Sequence, residues 1–410
     1  MDVITENKVI PKLRFSEFNE EWEIIKLQDL AIRITEKNRD NKIQTVLTNS
    51  ATKGIVSQAD YFDRDIANKN NLDGYYIVNI GDYVYNPRIS KYAPVGPIKK
   101  NNLVLGLMSP LYSVFRFNTN EDEFFENYFE TTAWHKYMKS VANYGARHDR
   151  MNISNSDFFK MSIPIPSLSE QQKIVSFLSA VDDKLQQLTK KKELLEEYKK
   201  GLMQKIFSQE LRFKDEFGNN YPDWEEKKLR DVLFEHKLKS TGKEEVYSVS
   251  VHKGLINQIQ HLGRSFSAKN TDHYYIVKPN DIVYTKSPTG QFPYGIIKQS
   301  KIKKDVIVSP LYGVFTPKSK HLGYMLDIYF ESKQNVHNYL HSIIQKGAKN
   351  TINITNSTFL SKSLKLPVNF DEQRKIGNFL KSIDGKIELV STQIENTKAF
   401  KKGLLQQMFV

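Results

Sequence analysis

Two stretches of this chain place an apolar residue alternately at every fourth and third position. The first runs Ile174, Leu178, Val181, Leu185, Leu188, Lys192, Leu195, Lys199, Leu202, Ile206; the second runs Ile376, Leu380, Ile383, Ile387, Val390, Ile394, Thr397, Lys401, Leu404, Met408. Eight of ten positions are apolar in each, and a period of 3.5 is that of a coiled-coil seam rather than of a helix lying on its own domain. Each stretch predicts a helix of about 38 residues, roughly 57 Å long at 1.5 Å per residue. Both open on the same punctuation: Pro166 before Ser167 and Glu170, Pro367 before Asn369 and Glu372. That is the spacing of a capping box. The simplest partner for each helix is the other. Antiparallel pairing would give the chain an approximate two-fold axis, with similar globular modules at opposite ends.

The modules have a different pattern. Short runs rich in β-branched and aromatic residues (YYIV at 75–78, DYVYNP at 82–87, LVLGL at 103–107, LYSVFRF at 111–117) predict strands. Residues 124–142 predict a helix, entered by a capping box from Asn120 to Glu123, and 322–344 are its counterpart. The fold class is therefore α+β, two similar globular domains separated by two long helices. The pattern does not order the strands.

The modules are copies. LRF at 13–15 recurs at 211–213, and Trp22 with KL at 26–27 recurs as Trp224 with KL at 228–229. YYIV recurs at 274–277, and SPLYSVF at 109–115 as SPLYGVF at 309–315. GAR at 145–147 matches GAK at 347–349, NISNSDF at 152–158 matches NITNSTF at 353–359, and GLMQKIF at 201–207 matches GLLQQMF at 403–409. An offset near 200 residues is duplication of a whole domain with its tail, not a solenoid. The predicted boundaries are 1–166, a spacer helix over 167–208, a second domain over 209–367, and a C-terminal spacer helix over 368–410.

Composition narrows the chemistry. The 410 residues contain no cysteine and carry a net charge of +13, which removes thiolate chemistry and favours an anionic partner, nucleic acid first. The charge is uneven: residues 1–169 hold 21 basic and 21 acidic side chains, so the first module needs a local basic face. The charged first 30 residues and the lack of 18 consecutive apolar residues lead us to expect a cytoplasmic chain that spans no membrane. No glycine-rich nucleotide cradle is visible. SPLY resembles the N/D-P-P-Y/F motif of adenine methyltransferases only superficially. Ser109 and Ser309 are poor acceptors for a target amino group, and Leu111 and Leu311 replace the second proline, so a strand start is the better reading. His337 and His341 stand at i, i+4, but no further ligands accompany them, and a solvated helix face is expected rather than a metal site. The acidic run 121–126 suits a partner or water rather than DNA. The lysines at 190–192 and 199–200, interleaved with acids, read as a partner-facing or solvated surface.

A pseudo-two-fold basic protein suits DNA, whose half-sites are read by paired modules. The duplicated LRF/W…KL opening, SPLY-x-VF, the G-A-R/K…N-I-S/T signature and the proline followed by E-Q and K-I together resemble the specificity subunit of type I restriction-modification enzymes, across essentially the whole chain. The resemblance implies two target recognition domains reading a bipartite asymmetric DNA site, and helical spacers that fix the gap. It implies two methyltransferase subunits and, through them, two restriction-translocation subunits. S-adenosylmethionine, ATP and Mg would belong to those partners, and this chain would be a non-catalytic adaptor with no cofactor or metal of its own. One departure is visible: the second copy has one residue fewer between GAK and NIT. A coiled-coil interaction scaffold and a free-standing DNA-binding regulator remain as alternatives.

Base readout needs forked or amide side chains on loops held by a rigid scaffold. The candidates are Arg88, Ser90, Lys91 and Tyr92, with Lys286, Ser287, Thr289, Gln291 and Tyr294 in the second copy. A second loop offers Arg147, His148, Arg150 and Asn152, versus Lys346, Lys349, Asn350 and Asn353. A third offers Lys53 and Gln58, versus His252, Lys253 and Gln258. The basic members could serve phosphates alone, and Asn152 and Asn353 could instead cap a local turn.

Overall fold

The computed structural model describes residues 9–61, 72–119, 121–143, 149–262, 271–290, 292–346 and 352–410. The chain divides into two compact units, Met1–Thr189 with Thr392–Val410, and Lys190–Ser391.

The first unit is built from ten short strands: β1 (Glu23–Lys26), β2 (Ala31–Ile34), β3 (Leu47–Ser50), β4 (Gly54–Ser57), β5 (Tyr76–Val78), β6 (Tyr83–Tyr85), β7 (Ile98–Lys100), β8 (Gly106–Met108), β9 (Ser113–Phe117) and β10 (Ser162–Ile165). Four form an antiparallel sheet in the order β2-β9-β6-β7, and the others pair as β1-β10, β3-β4 and β5-β8. The second unit repeats the plan. Its four-stranded sheet runs 233–235, 313–317, 282–285, 296–299, and it pairs 225–228 with 363–366, 247–250 with 254–257, and 275–277 with 306–308. Duplication thus extends to strand order, which local pattern could not supply. The pairing of β1 with β10 closes each domain by joining its two ends.

The predicted helix over 124–142 is two helices, Glu123–Phe129 and His135–Val141. Its counterpart is Lys320–Tyr329 and Lys333–Leu340. The break has a local cause. Hydroxyls compete with the helix backbone: the buried Thr131 hydroxyl donates to Tyr128 O at 2.7 Å and accepts from Ala133 N at 3.1 Å. In the second unit Ser332 caps the new helix by accepting from Asn335 N at 3.3 Å. Of the expected capping box, Asn120 lies outside the described residues, and Asp122 stands at the N-cap with no side-chain cap bond.

The long helices span Leu168–Phe207 and Phe370–Met408. All twenty seam positions are buried or half-buried. In the first unit, Ile174, Leu178 and Val181 share a core with Leu404, Leu405, Met408 and Phe409 beneath Trp22 and Phe124. In the second, Ile376 and Leu380 share a core with Met203 and Ile206 beneath Trp224 and Met325. Within each unit the start of one helix therefore lies beside the end of the other. Two polar seam positions are explained by partners in their own unit. Lys401 reaches Asp182 at 2.6 Å. Lys199 reaches Asp384 at 2.7 Å and Glu331 at 2.8 Å.

The capping signal is realised only in part. Asn369 Oδ1 accepts from Asp371 N at 2.8 Å and Glu372 N at 3.1 Å. Neither glutamate of the E-Q pairs serves as the return limb. Glu170 takes both prongs of Arg14 at 2.7 Å, and Glu372 accepts from Arg212 at 3.3 Å and Trp224 Nε1 at 3.1 Å. Both carboxylates are buried. The following glutamines hold the proline carbonyls, Gln171 to Pro166 O and Gln373 to Pro367 O, each at 2.9 Å. The repeated LRF and E-Q motifs are thus two halves of one joint between domain and helix.

Candidate nucleic-acid interface

Strand β6 ends in a loop that folds back on itself before β7. At Gly96 φ is +81°, and a Cβ there would lie 2.1 Å from Asn86 O. Gly295 in the second unit is equivalent, with φ +89° and 1.9 Å to Thr285 O. Only glycine fits such a position. The loop of the first unit is fixed by a buried amide pair. Asn86 Nδ2 donates to Asn49 O at 2.9 Å, while Asn49 Nδ2 donates to Val84 O at 2.7 Å and Pro97 O at 3.1 Å. Asn49 lies on β3, so the β3-β4 hairpin carrying Lys53 is locked to this loop.

The first and second candidate loops meet. Arg88 and Arg150 form an antiparallel bridge, with Ile89 N to Asp149 O at 3.0 Å and Met151 N to Pro87 O at 2.9 Å. Around this bridge lies a cavity of about 410 Å³, lined by Tyr85, Arg88, Leu111, Tyr112, Arg150 and Asn152 among others. The Arg88 side chain is exposed and has no protein partner among the described residues. Arg150 is mostly buried, with its Nε 3.7 Å from Asp149. Guanidinium groups keep their charge at any ordinary pH, so the site is cationic although its module is neutral.

The remaining candidates divide by what already holds them. Lys91 lies over the ring of Tyr92 at 4.8 Å, and Tyr92 is 66% exposed. Lys53 lies over Tyr61 at 5.3 Å. Asn152 and Asn353 are exposed. They do not cap the helices that follow; Ser154 accepts from Asp157 N and Thr355 from Thr358 N, both at 3.0 Å. Ser90 and Thr289 hold their own turns, accepting from Ala93 N at 3.2 Å and Phe292 N at 3.1 Å. Gln258 donates to Ser248 at 2.7 Å, and Gln58 opens the short helix 58–61. His252, Lys253 and Ser287 are exposed. Lys286 is half-buried, and burial pulls its pKa down against the opposing pull of Glu235. Arg147, His148, Gln291, Lys349, Asn350 and the side chain of Lys346 lie outside the described residues.

Two groups that the sequence assigned no role at the interface lie beside the candidate loops. Leu111 and Tyr112 belong to SPLY, which is a turn between β8 and β9 rather than a strand start, closed by Tyr112 N to Ser109 O at 3.0 Å. His337 and His341 stack on each other at 4.8 Å, with Tyr294 5.6 Å from His337. Their i, i+4 spacing was the available signal. No group of three or more metal-binding side chains occurs among the described residues.

A family model described as "Type I restriction modification DNA specificity domain" matches the chain twice, over residues 19–197 and 221–398. The chain belongs to this family. Each match takes in one domain and most of its long helix. Among relatives in the family, the type I restriction enzyme MjaVIII specificity subunit of Methanocaldococcus jannaschii is 27% identical over 62% of each protein. The putative MjaX specificity subunit of the same organism is 24% identical over 96% of this chain and 94% of its own length. The chain thus spans under two thirds of the first relative and nearly all of the second. Among solved structures, the type I restriction-modification S subunit from M. genitalium covers 98% of this chain and 99% of itself, with a TM-score of 0.54 at 13% identity. A chain from work titled "Structural basis underlying complex assembly and conformational transition of the type I R-M system" covers 94% and 96%, with a TM-score of 0.51 at 12% identity. These likenesses establish the fold of a specificity subunit. No helix among the described residues is long and apolar enough to cross a membrane.

Proposed function

We infer that this chain is the DNA-sequence-reading subunit of a type I restriction-modification complex, with each domain reading one half of a bipartite, asymmetric site. The observation that carries this is the coincidence of two family matches with two copies of one frame, each presenting a different set of basic and amide side chains on the same loops. Arg88, Arg150 and Asn152, gathered around one cavity, are the base-reading candidates of the first domain; Lys286, Ser287, Tyr294 and Asn353 are those of the second. Lys53, Lys91, His252 and Lys253 suit phosphates.

The long helices act as spacers, pairing along the full seam as an antiparallel coiled coil. The chain is a non-catalytic adaptor. Its partners are two methyltransferase subunits, which recruit two restriction-translocation subunits, and S-adenosylmethionine, ATP and Mg are held by those partners. Methylome sequencing of cells carrying the complex tests the reading. Replacing residues 12–163 by the equivalent region of another specificity subunit is expected to change one half of the methylated motif. A change in both halves would refute separable reading.

A further inference from the structure

One stretch repeated in the two domains, SPLY-x-VF, carries an exposed leucine. Leu111 is 59% exposed and Leu311 73%. A single exposed leucine needs no explanation, but this one stands at the same point of the same turn twice. In each copy the residue after Pro110 or Pro310 bonds back to serine: Leu111 N to Ser109 Oγ at 3.4 Å, Leu311 N to Ser309 Oγ at 3.3 Å. The tyrosine that follows closes the turn at 3.0 Å in both. Two residues further on, Val114 and Val314 are buried, so the turn holds the leucine outward while the strand beyond it is fixed in the core.

The neighbourhood is also repeated. Ser113 Oγ lies 3.5 Å from Asn155 Oδ1, and Gly313 lies against Asn356 Oδ1, which a Cβ there would approach to 2.9 Å. Asn155 and Asn356 each open the short helix after the N-I-S/T signature. In the first domain Leu111 lines the same cavity as Arg88, Arg150 and Asn152. The arginines and the asparagine suit hydrogen-bonding edges; the leucine can recognise only an apolar one. The major groove presents a single apolar feature, the thymine C5 methyl.

Resting on the functional reading above, we propose that Leu111 and Leu311 each contact the C5 methyl of a thymine, one in each half-site. Because turn and leucine are common to both domains while the flanking loops differ, the two half-sites share an A·T pair at equivalent positions and differ elsewhere.

Once the methylated motif is known, duplexes carrying deoxyuridine in place of each thymine in turn test this with the full chain purified together with its methyltransferase partner. One thymine per half-site is expected to lose about fourfold in affinity when its methyl is removed, the value of one buried methylene-sized group. Leu111→Ala is expected to abolish that sensitivity in the first half-site only, and Leu311→Ala in the second only, with melting temperatures unchanged. Sensitivity persisting in the variants, or absent from the wild type at every thymine, would overturn the proposal while leaving sequence-specific binding intact. A wild-type complex without any sequence preference would overturn the functional reading and this inference with it.

Discussion

Lys199 and Lys401 occupy equivalent seam positions in the two helices, and the repeat alone would assign them equal weight. The structure does not. Lys199 is 12% exposed and bridges Asp384 at 2.7 Å and Glu331 at 2.8 Å. Asp384 also accepts from the Tyr324 hydroxyl, and Glu331 from Lys298 at 3.1 Å. Although burial opposes its charge, the two carboxylates leave the Lys199 pKa raised. Among the described residues Lys401 has one partner, Asp182, which is 49% exposed. Substitution by Met keeps the apolar stem and removes the charge. For Lys199 this strands two carboxylates in a partly buried network. Breaking a buried pair costs about 3–5 kcal/mol, and the lower end applies because Lys298 and Tyr324 still serve the acids. For Lys401 the cost is that of a surface pair, under about 1 kcal/mol. In a unit of this size each kcal/mol moves the melting temperature by about 2–4 °C. Scanning calorimetry of the full chain should therefore show Lys199→Met lowering a transition by roughly 6–12 °C and Lys401→Met by less than about 4 °C. Equal shifts would refute the argument that burial and partner number, not seam position, set the weight of these lysines.

Further outcomes follow from the same structure. Arg88→Ala should weaken recognition of the first half-site by about 1–3 kcal/mol and leave the second untouched, read as methylation of motif variants altered in each half; an unchanged motif and affinity would remove Arg88 from the interface. Burial holds the Asp327 carboxyl above its ordinary pKa of 3.8, despite Lys298 and Lys301 nearby. The folded state therefore keeps a proton that the unfolded state has lost, and this group's contribution to stability falls as pH rises through that window. Urea midpoints of Asp327→Asn relative to wild type should improve progressively from pH 4 upward, and a pH-independent difference would count against the assignment. Inserting four residues between Gln187 and Lys190 lengthens the first helix by about 6 Å. At about 3.4 Å per base pair the methylated motif should keep both halves and gain one or two base pairs of gap; an active mutant with its original gap would end the spacer reading.

Much of this was readable in advance where the signal is local. The 3.5-residue period named positions that the structure buries or half-buries, because a helix against an apolar surface turns one face to it, but it passed over Met203 and Leu405, which are buried in the same cores. The runs at 75–78, 82–87 and 111–117 hold the strands Tyr76–Val78, Tyr83–Tyr85 and Ser113–Phe117, because β-branched and aromatic side chains suit a pleated sheet. Failures occurred where distant residues decide. Strand order depends on pairings such as β1 with β10, about 140 residues apart in sequence. The helix over 124–142 breaks because one threonine hydroxyl outcompetes the backbone, and periodicity does not register hydroxyls. SPLY looked like the start of a strand, since Pro-Leu-Tyr carries no mark distinguishing a turn tip from the strand it feeds. In the interface, residue types were legible but their commitments were not: Ser90 and Thr289 have the chemistry to touch bases, and their turns already use it.

The joint between domain and helix explains why the loops are able to diverge. Each helix begins with a buried glutamate that must be neutralised, since an unpaired buried carboxylate is costly. In the first unit the fork of Arg14 takes both oxygens of Glu170, and Trp22 Nε1 has no partner among the described residues. In the second, Arg212 and Trp224 share Glu372 Oε1, and Oε2 has no hydrogen-bond partner among the described residues. Both copies set an arginine against the buried glutamate, but only the second also uses its tryptophan. The donors belong to the segment before the domain and the acceptor to the helix after it, so the constraint passes around the reading loops rather than through them. A replacement for residues 12–163 must therefore supply its own partner for Glu170 on the retained helix, as Arg14 does here. What is exchanged with it is the loop chemistry of Arg88, Arg150 and Asn152, none of which contributes a bond to this joint. The side chains of these loops can therefore change without altering any bond of the joint.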